Sequence, residues 1–152
     1  MHVARTPLLT AIAGSLLAPS LVLIVSALAS GLPVGEVFSA WIRHVLGGRP
    51  SVLATTVLNL APVGMLAIVL FAHTRGNGSE ITRGRMAWAG CIAILIITVW
   101  VNLQFWPRFF PAQQPLGFPH GIELVIGPLF FAPFAALSAT AGTWILDRVL
   151  RK

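Results

Sequence analysis

The groups able to do chemistry in this chain are few. Four histidines and four carboxylates serve 152 residues. His120 and Glu123 stand three positions apart. A helix beginning by Phe118 would put them on one face, and with His44 they make a set able to ligate a transition metal. Di-iron bundles draw Glu-x-x-His from two helices, with further glutamates. Here there is one such pair, in reversed order, so His44, His120 and Glu123 are only outlying metal candidates. The simpler reading is that Glu123 accepts backbone N–H groups at a helix start, where negative charge is favoured. His120 then sits at headgroup depth.

Catalytic arrangements are harder to build. Asp147, the sole aspartate, lies near the C-terminus, far along the chain from every histidine. It can complete neither a Ser/His/Asp set nor an aspartyl dyad. Cys91, the sole cysteine, excludes a CxxC motif and any internal disulfide. No phosphate-cradling or dinucleotide glycine pattern occurs. His2, His44, His73 and His120 lie at the ends of apolar runs or between them, so none is placed to hold a haem between helices. The expectation is a protein that is not an enzyme and has no cofactor.

What must position these groups is a membrane. The chain is 57% hydrophobic and 9% charged, whereas a soluble domain carries about 25% charged residues. The expected fold is an all-α integral membrane protein. It is a single domain of four transmembrane helices, near residues 8–31, 52–72, 86–106 and 122–146, each long enough for a bilayer. A cleaved signal peptide competes for the first run, through Ala27-Leu28-Ala29, but that run is too long for a typical signal. Between the first two spans, Val37, Phe38, Trp41, Ile42 and Val45 fall on one side of a short helix. Glu36, Ser39, Arg43 and His44 fall largely on the other. That pattern predicts an amphipathic interfacial helix, ended by Gly47-Gly48.

The positive-inside rule sets the expected orientation. One side holds Arg5, Arg75, Arg83, Arg85, Arg148, Arg151 and Lys152, and the other only Arg43, Arg49 and Arg108. Both termini are therefore expected in the cytoplasm, by default of a bacterial inner membrane. The net charge of +6 is scattered rather than clustered, which argues against nucleic acid as a partner.

Within the spans, the fourth carries small residues every three or four positions. Ala132, Ala136, Ala139 and Gly142 form a stripe where another backbone can approach. Trp41, Trp106, Phe109 and Phe110 are expected at the outer interface, and Asn102 near enough to the surface to be hydrated. Thr55, Asn59 and Pro62 share a face of the second span. They read as an interhelical hydrogen-bonding site or as the lining of a polar path. Pro128 and Pro133 free the carbonyls of Leu124 and Leu129 and would loosen the fourth helix. The leading functional expectation is a small non-catalytic subunit or accessory protein packed against a larger membrane complex. Its partners would be lipid and another integral membrane protein, or itself. An oligomeric transporter or channel for a neutral or apolar solute is the alternative. An outer-face metal or lipid-headgroup binding protein is a second.

Overall fold

A computed structural model describes residues 2–47, 51–74, 79–110 and 121–150. Every regular element among them is helical: α1 (His2–Ala29), α2 (Val34–Leu46), α3 (Val52–Thr74), α4 (Glu80–Phe105), a 3-10 turn (Trp106–Phe109), α5 (Glu123–Ile126), a π-helical turn (Gly127–Phe131) and α6 (Ala132–Val149). Four stretches are long and apolar enough to cross a membrane: Ala4–Ala29, Val52–His73, Glu80–Phe109 and Glu123–Val149. By length and composition of its helices, this is an integral membrane protein.

Helix ends follow local chemistry. At the end of α1, Gly31 turns to φ +80. There the Leu32 N–H donates to the Ala27 carbonyl at 3.3 Å, and the Gly31 N–H to the Leu28 carbonyl at 2.9 Å. This paired closure satisfies carbonyls the helix would otherwise leave bare. Helix α2 stops where Gly47 adopts φ +135, its N–H donating to the Arg43 carbonyl. Helix α4 begins at Glu80 rather than Met86, because the Ser79 side chain caps it by accepting the Thr82 N–H. The polar run from Glu80 to Arg85 thus extends the helix instead of forming a loop.

Helix α4 is the hub. It packs extensively on α1 and on α6, while α3 packs on α1 and more lightly on α4 and α6; among the described residues α1 and α6 are not packed on each other. One apolar cluster joins Val22, Leu23 and Ala27 of α1 to Val52, Val101, Phe105, Trp106 and Leu124. The other joins Ala11 to Val63, Leu66, Leu70, Met86, Ala87, Cys91, Ile94 and Ala136. So α4 runs parallel to α1 and antiparallel to α3 and α6. The first cluster lies at the end carrying α2, the second toward the end where α1 begins.

The prolines of the fourth span do not break it. Pro128 lacks the N–H that a helix would direct at Leu124. The backbone answers by widening to a π turn, in which the Ala132 N–H reaches the Gly127 carbonyl.

Candidate functional site

The residues singled out above separate into four places. The first is the small-residue stripe. Ala132 and Ala136 are 0% and 2% exposed, Ala136 in the cluster with Met86, Ala87 and Cys91. These two are used in packing α6 within the bundle. Ala139 and Gly142 are half-buried, and beyond its own stretch of helix no heavy atom of the described residues lies within 4 Å of where a Gly142 Cβ would stand. A groove of about 240 Å³ between α3 and α6 is lined by Leu137, Thr140, Ala141 and Trp144 from α6. At 100° per residue, Ala139 and Gly142 fall on the opposite flank of Thr140, away from α3. That flank leaves room for an approaching backbone.

The second place is the aromatic end. Trp106 is 0% exposed, and its indole N–H donates to Asn102 Oδ1 at 2.9 Å. The Asn102 amide donates to the Thr98 carbonyl at 2.8 Å, and Asn102 is itself 0% exposed. The expectation of a hydrated Asn102 is corrected: Asn102 and Trp106 satisfy each other at i, i+4, so both can be buried. Phe110 is buried as well, whereas Phe109 is exposed. Trp41 is half-buried and stacks on Phe38 with centroids 5.8 Å apart.

His44 belongs to this end. Its ring meets Trp106 edge-on at 5.5 Å and Phe109 at 5.7 Å. Beside it, Glu36, Ser39, Arg43, Phe109 and Phe110 help line a pocket of about 350 Å³. His120 lies outside the described residues. Glu123 is not a free ligand, because Arg108 Nη1 stands 2.5 Å from its Oε1, with the side chains 14% and 8% exposed. No backbone N–H among the described residues reaches the Glu123 carboxylate, so the helix-start reading of Glu123 is corrected too. A guanidinium supplies the positive charge instead. Among the described residues, no three His, Cys, Asp or Glu side chains gather as a metal site would need.

The third place is the bundle interior. Asn59 is 0% exposed, as is Ser15, and Thr98 is 1% exposed. The Asn59 carboxamide, Ser15 Oγ and Thr98 Oγ1 find no hydrogen-bond partner among the described residues. A Cβ at Gly14 would overlap Leu95, and one at Gly90 would lie 2.8 Å from Leu66. With α1 parallel and α3 antiparallel to α4, these contacts set Ser15 and Asn59 within roughly one helical turn of the level of Thr98. Pro19 and Pro62 are fully buried in α1 and α3, and Thr55 Oγ1 donates to the Ser51 carbonyl at 2.9 Å. Thr55, Asn59 and Pro62 thus face the core together.

The fourth place was not legible as a site. Arg85 Nη1 contacts Asp147 Oδ1 at 2.9 Å, tying the start of α4 to the end of α6. With Arg108–Glu123 at the other end, two ion pairs hold the last two spans in register. The available signal was modest: lone charges at matching ends of consecutive antiparallel helices.

No protein-family model, curated protein or solved structure matches this chain.

Proposed function

We propose that the protein is a small non-catalytic integral membrane subunit or accessory protein that packs against a larger membrane complex. The observation that carries this is the open flank of α6, where Gly142 is half-buried and, among the described residues, nothing outside its own stretch of helix lies within 4 Å of a Cβ position. Association in lipid depends on close backbone approach, because apolar burial gives no net drive there. Ala139 and Gly142 are the residues assigned to docking. Ala132 and Ala136 support the same helix from inside. The pairing of Glu123 with Arg108 weighs against the metal reading. In the orientation of this proposal both termini are cytoplasmic, in a bacterial inner membrane. Helix α2 and the aromatic end then lie at the outer interface, with Trp41 and Phe109 at headgroup depth.

The test is native mass spectrometry of the tagged protein drawn from its own membrane in nanodiscs. The wild type is expected to carry a different integral protein in fixed ratio. Gly142→Leu is expected to lose that partner while the bundle keeps its thermal midpoint, since the added side chain enters open space. A Gly142→Leu variant that holds the partner as tightly as wild type sinks the assignment.

The buried carboxamide of Asn59 favours a second reading, an oligomeric transporter or channel for a neutral solute. The two readings part on Asn59→Leu. If the protein is a subunit, removing an unpartnered buried amide leaves the complex intact and stability unchanged or raised, because a lone buried polar group costs about 1–3 kcal/mol. If Asn59 lines a path, solute flux in reconstituted vesicles collapses in the same variant. Retained complex with a thermal midpoint at or above wild type is the expected outcome.

A further inference from the structure

Glu36, Ser39, Ala40, Arg43 and His44 recur at the spacing of one helical face on α2. Together with Phe109 they line the pocket of about 350 Å³ at the aromatic end. That pocket lies where apolar spans stop. Helix α2 joins the end of the span Ala4–Ala29 to the start of Val52–His73, and Phe109 closes Glu80–Phe109. At such a level hydrocarbon gives way to headgroups. The pocket carries one charge of each sign. Glu36 and Arg43 are both exposed, and two turns of helix set them about 10 Å apart. Neither makes an ion pair among the described residues. We propose that this pocket binds a phosphoethanolamine headgroup, its phosphate at Arg43 and its primary ammonium at Glu36, and that the group comes from phosphatidylethanolamine of the surrounding bilayer.

Charge complementarity decides the occupant. A purely anionic ligand brings its charge against Glu36, and a purely cationic one against Arg43. A ligand of both signs meets a counter-charge at each end. The guanidinium presents a planar fork of donors matched to phosphate oxygens. The carboxylate accepts hydrogen bonds, and a primary ammonium has three to donate. A quaternary ammonium has none, and is recognised instead by the faces of an aromatic cage. The Phe109 ring already packs on His44, Phe105 and Trp106. The site is on a different element from Ala139 and Gly142 and does not depend on the subunit reading.

The experiment is native mass spectrometry of the full-length protein in detergent, supplied with equal phosphatidylethanolamine, phosphatidylcholine and phosphatidylglycerol of matched chains. One phosphatidylethanolamine is expected to be retained in preference to both others. Glu36→Gln is expected to lower that preference about fivefold, and Arg43→Gln to weaken phosphatidylethanolamine about fivefold, the upper worth of one exposed ion pair. Ala40→Leu changes no charge but fills the pocket, and is expected to remove the preference. Glu80→Gln is the control: Glu80 is exposed at the opposite end of α4, and its loss is expected to change nothing. Thermal unfolding confirms that each variant folds. Should Ala40→Leu not fold, Glu36→Gln carries the test, because its side chain is exposed. Equal retention of the three lipids overturns the proposal. So does a preference that Glu36→Gln or a folded Ala40→Leu leaves intact, or an equal effect of Glu80→Gln, which would mean diffuse acidic charge. Binding of free phosphoethanolamine with no preference among the lipids overturns the bilayer as its origin.

Discussion

Glu123→Ala is expected to cost about 3–5 kcal/mol of stability, the usual loss when one member of a buried ion pair is removed. Arg108 and Glu123 meet at 2.5 Å with side chains 14% and 8% exposed, so little solvent is available to either charge. Removing the carboxylate takes away the contact that Glu123 makes with this guanidinium, beside the buried Trp106 and Phe110. The pair also joins the 3-10 turn after α4 to the start of α5, so its loss should loosen the beginning of the fourth span first. Replacing both partners by apolar residues of similar length, Arg108→Met with Glu123→Leu, should recover most of the loss, because the desolvation cost of both charges disappears together. Reversible unfolding in mixed micelles would read the three variants as a cycle. A loss in the double variant equal to the sum of the two single losses would show that the charges do not couple. The Arg85–Asp147 contact is a poorer target, since its arginine is 61% exposed and such pairs are screened by solvent and salt.

Gly127→Ala should be the second severe change. Gly127 is buried at the start of the π turn. A Cβ there would overlap Val101 Cγ2 and lie 3.2 Å from Cγ1 and 3.3 Å from Cβ. Valine is stiff at χ1, and Val101 is 0% exposed within the core of α4, so it cannot swing aside. Overpacking of this kind costs about 1–3 kcal/mol. The expected signature is a fall in thermal midpoint that Val101→Ala relieves when combined with Gly127→Ala, although Val101→Ala alone is itself destabilising. If the double variant is no more stable than Gly127→Ala, the clash is not the cause. Gly14→Ala should be milder, because the atom a Cβ would meet there is the far end of the Leu95 side chain.

The parts of this protein legible in its sequence are those governed by contiguous residues. Four apolar runs became four long helices, since crossing a bilayer demands backbone hydrogen bonds satisfied within one segment. Helix α2 followed from the alternation around Val37 and Trp41, and its end from Gly47. The start of α4 moved from Met86 to Glu80 for a reason that is also local: Ser79 caps it early, and charged residues are tolerated in a helix once it leaves the apolar layer.

Side-chain fates were less legible, and the reason is register. Trp106 read as interfacial because tryptophan near a span's end usually is. It is buried because Asn102 one turn earlier satisfies its N–H and Leu23, Phe105 and Leu124 close around it. The stripe on α6 read as one surface, but the bundle divides it: Ala132 and Ala136 turn inward, while Ala139 and Gly142 stay at the margin. The sequence by itself determined how many helices there are, roughly where each begins, and that lipid is their solvent, because hydropathy over some twenty residues is a property of one segment. Only the tertiary structure decided that Arg108 meets Glu123, that Arg85 meets Asp147, and that Ser15, Asn59 and Thr98 share a depth. Each of those depends on how far one helix slides and turns against another, which no single segment encodes.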